Sequence, residues 1–116
     1  MHVVVFEVTV KADVGQRYFD LAAELKPALE KIDGFISVER FESLATPNKY
    51  VSLSFWRDEA ALVAWREHSP HQAAQLLGKQ EIFEDFRISV AEVQRQYTLA
   101  DRLSPAGQAA SQPPAG

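Results

Sequence analysis

Stretches with strand periodicity and stretches with helical periodicity follow one another along this chain, and their order restricts the fold. Apolar residues alternate from Val3 to Val10 and from Tyr50 to Trp56, which is typical of strands with one buried face. Further strands are predicted from Phe35 to Leu44 and from Phe86 to Tyr97, with helical spacing after the first and third strands. The order β-α-β-β-α-β predicts an α+β, ferredoxin-like fold with a four-stranded antiparallel sheet and both helices on one face.

The first helix is predicted from its start and stop signals. Asp13, followed three residues later by Gln16, resembles a capping box with Asp13 as the N-cap. The helix is then expected to run to about Asp33, where Gly34 provides a natural C-terminal stop.

The second helical region carries two start signals. Asp58 is expected to cap a short helix, and Ser69 followed by Pro70 is typical of a new helix start. We therefore predict a break near His68 and a further helix from Pro70 to Leu77.

The sheet face away from the helices is expected to be covered by a second copy of the chain. Val3, Val5, Tyr50 and Trp56 argue against a solvated face, since exposed apolar patches usually mark interfaces. The prediction is a homodimer through the open sheet face, forming a dimeric α/β barrel.

Composition excludes several classes of protein. With a net charge of −4 and no two adjacent basic residues, the chain lacks the basic stripe that nucleic-acid binding requires. It has no cysteine, which excludes disulfides and thiolate ligands and fits a reducing, cytoplasmic location. No stretch approaches the ~20 apolar residues that span a bilayer, so no membrane partner is expected.

One domain is expected over residues 1–103. From Ser104 the sequence becomes SPAGQAASQPPAG, without periodicity, and residues 104–116 are predicted to form a disordered tail.

Two segments of the second half resemble a known family. The run FWRDEAALVAWREHSPHQAAQLLGK, followed by EDFRISVAEVQRQY, resembles the antibiotic biosynthesis monooxygenase (ABM) domain, and the resemblance extends from Met1 to about Arg102. It implies a dimeric α/β barrel with a cavity between sheet and helices. It also implies oxygenase chemistry without a bound cofactor, in which the anion of the substrate itself reduces dioxygen.

The resemblance also implies candidate site residues. Trp65 matches the helix tryptophan that family enzymes place against the substrate, and its alternative is a core tryptophan packed with Leu62. The haem-degrading branch has a histidine ten residues after that tryptophan, where this chain has Gln75, a poor haem ligand, so haem degradation is disfavoured. The phenol-oxidising branch has an amide one turn before the tryptophan, where this chain has Ala61.

The catalytic candidates are Trp65, His68 and His71, and the substrate-binding candidates are Phe83, Phe86, Gln75 and Arg87. Either histidine is a candidate general base at the cavity, and the alternatives are two exposed histidines or, with a third ligand, a metal pair. Arg87 has the alternative of pairing with Glu39, Glu42 or Glu92.

The predicted function is a cofactor-independent monooxygenase acting on a small aromatic or quinol-type substrate. The alternative is a non-catalytic dimeric module that binds a small ligand or only assembles.

Overall fold

The computed structural model describes residues 1–68, 72 and 81–103, and in this part four strands and two longer helices alternate in the predicted order. The elements are β1 (His2–Val10), α1 (Gly15–Glu30), β2 (Phe35–Glu42), β3 (Lys49–Trp56), α2 (Glu59–Arg66), β4 (Phe83–Glu92) and a short α3 (Leu99–Leu103). The strands form one sheet in the order β2-β3-β1-β4, and every neighbouring pair is antiparallel. The α+β, ferredoxin-like fold predicted from the sequence is therefore confirmed.

Both helices pack on the same face of the sheet, which we call the helix face. One buried cluster joins Tyr18 of α1 to Val8 and Val10 of β1. A second joins Leu29 of α1 and Ala61 of α2 to Trp56 at the end of β3. Alternation along β1 and β3 thus directs one apolar set between the sheet and the helices, as period-two strands require.

The opposite face, which we call the open face, carries different residues from those expected. Tyr50 and Trp56 belong to the helix face, where both contact the core, so their assignment to the open face was wrong. The parity of β3 alone does not say which of its two faces meets the helices. The open face instead carries Val51, Leu53 and Phe55, which join Val3 and Val5 through the pairs Val3–Phe55 and Val5–Leu53.

The first helix begins and ends at positions other than those predicted. Asp13 has a φ of 67° and lies in a turn before the helix, while Val14 occupies the N-cap and forms no side-chain capping bond. The helix ends at Glu30, with Lys31 as its C-cap. Gly34 adopts a φ of 94° in the link to β2, where it redirects the chain rather than ending the helix.

The cap of the second helix is confirmed. The Asp58 carboxylate accepts a hydrogen bond from the Ala61 amide at 3.0 Å, which satisfies one of the free N–H groups at the helix start. The helix ends at Arg66, and the predicted break at Ser69 and second helix from Pro70 to Leu77 lie outside the described residues.

The last strand lies earlier than predicted. It spans Phe83–Glu92 rather than Phe86 to Tyr97, because its pairing with β1 ends at His2 opposite Glu92. The register of this pairing shifts between Thr9 and Val10 of β1. The tail from residue 104 lies outside the described part, and no helix in the described part is long and apolar enough to cross a membrane.

Candidate active site

A cavity of about 380 Å³ lies between the helix face of the sheet and the helices α1 and α2. Its described apolar lining is Val4, Phe6, Leu21, Ala22, Leu25, Leu29, Val38, Trp56, Leu62, Val63, Trp65, Phe83, Ile88 and Val90. Its described polar lining is Tyr18, Arg40, Ser52, Ser54, Glu59 and Arg66. Ligand pockets typically measure ~300–1,000 Å³ and are mostly apolar with few polar groups, so this cavity suits a small, largely apolar molecule.

The floor of the cavity is formed by two cross-strand rows of side chains. One row runs Arg40, Ser52, Phe6 and Ile88, and the next runs Val38, Ser54, Val4 and Val90. In both rows the β4 side is apolar, and the hydroxyl and guanidinium groups lie on the β2 and β3 side. The floor therefore has an apolar half and a polar half.

Trp65 lines the cavity, and His68, which is not among the described lining residues, lies beside Trp65. The indole and the imidazole are stacked, with ring centroids 5.4 Å apart and planes inclined by 21°. The His68 Nδ1 atom is buried and has no hydrogen-bond partner. Trp65 also packs against the core cluster that contains Trp56, so it both lines the cavity and supports the fold.

Phe83 and Phe86 occupy different positions relative to the cavity. Phe83 lines it and packs edge-on against the Tyr18 ring at 6.0 Å. Phe86 contacts Phe6 at 6.0 Å and Phe83 at 6.1 Å, outside the described lining. Phe86 thus supports the wall rather than forming it.

Arg87 lies on the open face and does not reach the cavity. Its guanidinium donates two hydrogen bonds to the Glu7 carboxylate, at 2.6 and 2.9 Å, and Lys49 lies 3.5 Å from the same group. Arg87 and Glu7 are cross-strand partners, so a structural pairing occurs, but with Glu7 rather than with the acids considered from the sequence. The Arg87 hydrogen bonds hold the pKa of the Glu7 carboxyl below its usual value, against the opposing effect of desolvation.

Two predicted site residues, His71 and Gln75, lie outside the described residues. In the part of the chain that the structure covers, no three His, Asp or Glu side chains are grouped to hold a metal ion.

Two polar residues of the cavity, Arg40 and Tyr18, were not selected from the sequence. The Tyr18 hydroxyl and the Arg40 Nε are buried, and neither has a hydrogen-bond partner. Burial raises the pKa of Tyr18, while the positive charge of Arg40 and a side-chain hydrogen-bond interaction with it act to lower the pKa. The guanidinium therefore lies near the hydroxyl, although no contact between them meets hydrogen-bond geometry. The sequence signal that could have identified Arg40 is its position two residues after Val38, which places both side chains on the same face of β2.

A second polar pair in the cavity wall is fully satisfied. The Trp56 indole N–H donates to the Ser54 hydroxyl at 2.9 Å, and both side chains are buried. This bond fixes the Trp56 ring, whose edge-to-face contact with Phe35 has a centroid distance of 5.3 Å. Leu53 and Phe55, which could have filled the cavity, point to the open face instead.

Comparisons with known sequences identify the family to which this chain is similar. The family model described as antibiotic biosynthesis monooxygenase matches residues 1–76. A protein of Pyricularia oryzae named jasmonate monooxygenase ABM is 41% identical over 93 residues, which cover 80% of this chain but only 43% of that protein. YqjZ of Bacillus subtilis is 28% identical over 88 residues, covering 76% of this chain and 75% of that protein.

Solved structures agree in fold. A protein of Deinococcus radiodurans described as a putative antibiotic biosynthesis monooxygenase superposes with a TM-score of 0.74 at 16% identity, covering 85% of this chain and 98% of that one. The protein Rv0793 of Mycobacterium tuberculosis also gives 0.74, at 14% identity, covering 84% and 98% of the two chains. The resemblance drawn from the tryptophan-containing motif is thereby confirmed, and the chain belongs to the antibiotic biosynthesis monooxygenase family.

Proposed function

We propose that the chain is a monooxygenase that oxidises a small aromatic or quinol-type substrate in the cavity without a bound cofactor. The observation that supports this most is the cavity itself, which is mostly apolar, is bordered by Trp65 and is formed by a chain of a monooxygenase family. A phenol and dioxygen give a quinone and water, so the substrate supplies all the electrons. One oxygen atom becomes the new carbonyl and the other leaves as water.

In this proposal the protein supplies a dry enclosure and a proton acceptor. His68 is the proposed general base that removes the phenol proton, since histidine is the side chain most often used in this role. Its stacking on Trp65, a residue of the lining, supports this role. Phe83 and Trp65 are the proposed walls for an aromatic ring. His71 and Gln75 stay predictions from the sequence.

Oxygen uptake on a panel of quinols and phenols tests the proposal, with ¹⁸O₂ labelling to trace one atom into the product. His68→Gln is expected to lower kcat by about 10²–10⁴-fold, the usual contribution of a general base. His2→Gln is the matched control, because His2 lies on β1 and lacks the stacking contact with Trp65 that His68 makes. If wild-type protein forms no labelled product with any member of the panel, the enzyme proposal fails in favour of the non-catalytic ligand-binding module.

A second substrate class comes from the relative named jasmonate monooxygenase. Jasmonate is a cyclopentanone that carries a carboxylate, and oxygenation at one of its C–H bonds needs two electrons that the substrate does not supply. The assay for this class therefore includes a two-electron donor such as NADPH. The match covers less than half of that relative, so activity of the relative on jasmonate does not by itself assign the activity to this chain. The assay with jasmonate and a two-electron donor is therefore run on this chain alone.

We further propose that the open face forms a homodimer. Val3, Val5, Val51, Leu53 and Phe55 lie together there and are only partly shielded within one chain. Buried apolar area drives such association, and a charge in the centre of the patch opposes it. Light scattering after gel filtration is expected to show a dimer for wild type and a monomer for Leu53→Glu. Leu44→Glu, at a fully exposed loop position, is the control expected to stay dimeric; a wild-type monomer at micromolar concentration contradicts the proposal.

A further inference from the structure

The cavity contains two polar groups that the fold itself does not use. The Tyr18 residue is only 4% exposed and its hydroxyl has no partner within hydrogen-bond geometry, and the Nε atom of the partly buried Arg40 is likewise buried without a partner. Burial raises the pKa of Tyr18, and the two groups lie near enough for Arg40 to lower it by its charge and by a weak side-chain hydrogen-bond interaction, so each faces the other without satisfying it. Arg40 also forms no ion pair with a carboxylate in the part of the chain that the structure describes. A buried donor without a partner is costly, so native proteins retain one chiefly where a ligand satisfies it.

The two groups approach the same part of the cavity from opposite sides. Arg40 rises from the sheet, because its cross-strand partner Ser52 also lies on the helix face. Tyr18 descends from α1, and its ring is fixed by stacking on Tyr50 at 6.0 Å and by the edge of Phe83 at 6.0 Å. The hydroxyl is therefore held in place before any ligand arrives.

The chemistry of this pair selects a planar anion. A guanidinium presents Nε–H and Nη–H as two parallel donors that match the two oxygens of a carboxylate, and a phenol hydroxyl adds a third donor. Opposite them, Val4, Ile88 and Val90 offer only apolar surface. A ligand that fits both halves has an apolar body and one carboxylate.

We propose that Arg40 and Tyr18 form a carboxylate subsite, so that the cavity takes a small apolar acid held by its head group. This inference rests on the proposed function because it names the class of substrate that the same cavity binds. The carboxylate accepts the Arg40 fork and the Tyr18 hydroxyl, and its apolar body extends toward β4.

Isothermal titration of the full chain at pH 7 tests the subsite without any turnover. The probes are 4-phenylbutyrate, its methyl ester and 4-butylphenol, which share an apolar body and differ in the head group. Wild type is expected to bind the acid at least about tenfold more tightly than the ester, since hydrogen bonds to a charged group are the stronger ones. Arg40→Met is expected to weaken acid binding by about tenfold to a hundredfold and to leave ester binding nearly unchanged.

Three further variants separate the subsite from a merely structural role. Tyr18→Phe is expected to weaken acid binding several-fold and ester binding not at all. Arg40→Lys keeps the charge without the fork and is expected to fall between wild type and Arg40→Met. Arg95→Met, which removes the same charge at an exposed position outside the described lining, is expected to bind the acid like wild type.

The proposal is overturned if the acid fails to bind at millimolar concentration, if acid and ester bind equally, or if Arg40→Met weakens both alike. Arg40-dependent preference for 4-butylphenol over the acid also overturns it, because the subsite would then serve a phenolate. Acid binding that depends on Arg40, without any oxygen uptake, supports the subsite and counts against the monooxygenase. Oxygen uptake without a preference for the acid over the ester supports the monooxygenase and overturns the subsite.

Discussion

Two hydroxyl groups in the wall of the cavity are expected to affect stability with opposite signs. The Tyr18 hydroxyl is buried without a partner, whereas the Ser54 hydroxyl accepts a bond from the buried Trp56 indole. An unsatisfied buried polar group costs ~1–3 kcal/mol, and a typical made hydrogen bond contributes ~0.5–1.5 kcal/mol. Removing the first should therefore relieve a cost, and removing the second should create one.

For Tyr18→Phe the ring and its contacts are kept, and only the oxygen is lost. Full relief of the unsatisfied hydroxyl would stabilise the protein by ~1–3 kcal/mol. A weak side-chain hydrogen-bond interaction with Arg40, which falls outside hydrogen-bond geometry, already offsets part of this cost. We expect the free energy of unfolding to stay equal or to rise by about 1 kcal/mol, the low end of that range.

For Ser54→Ala the indole N–H of Trp56 loses its acceptor while staying buried, because Trp56 is only 2% exposed. We expect a loss of about 1–3 kcal/mol. In a domain of this size each kcal/mol corresponds to roughly 4–8 °C in Tm.

Urea unfolding at pH 7, followed by far-ultraviolet circular dichroism, measures both variants without depending on the tryptophans. The midpoint should move up or stay for Tyr18→Phe and move down for Ser54→Ala, with the m-value unchanged in both. A loss of more than about 1 kcal/mol in Tyr18→Phe would refute the reasoning, because it would mean that the hydroxyl forms a full hydrogen bond in the folded protein.

Three other substitutions test the fold outside the cavity. Gly34→Ala should cost about 1–3 kcal/mol in thermal unfolding, because φ is positive there and the added Cβ would lie 2.8 Å from the Cβ of Ala61. Glu7→Gln should destabilise at pH 7 and progressively less as the pH falls below 4.5. The Arg87 hydrogen bonds lower the pKa of Glu7 in the folded state, so its contribution is present above the unfolded pKa and is lost on acidification; equal destabilisation at pH 3 and pH 7 in urea would contradict this. Asp58→Ala should lower Tm by a few degrees, and Asp58→Asn by less, because asparagine also caps helices while both variants lose the ion pair with Arg57; equal losses would mean that the cap contributes little to stability.

The features that were predictable from the sequence depend on local periodicity and on capping. Alternation along β1 and β3 located both strands, and the Asp58 signal located the start of α2. The assignments that failed depend on which face of the sheet meets the helices. Tyr50 and Trp56 alternate correctly with their neighbours, yet only the packing of both helices decides that they face inward.

The candidate site divides in the same way. Trp65 could be selected because it matches the family motif; it lines the cavity and also packs against the core cluster, which was its alternative. Arg87 could not be excluded, because an arginine among alternating apolar residues is compatible with either face until the Glu7 pairing is known. Tyr18 is buried, but sequence periodicity carries no information on whether a buried hydroxyl has a partner.

Arg40 shows how one irregularity in the sheet determines the chemistry of the cavity. Phe35 pairs with Trp56, but the register shifts by one residue before Ser37, so Arg40 is opposite Ser52 on the helix face. Without that shift, continuing the first register would place Glu39 opposite Ser52, because a slip of one residue exchanges the two faces of a strand. This position in the floor of the cavity would then carry a carboxylate instead of a guanidinium, and it would favour a cationic group of a ligand over an anionic one. The change of phase between Phe35 and Val38 is visible in the sequence, and this bulge gives the floor of the cavity its positive group.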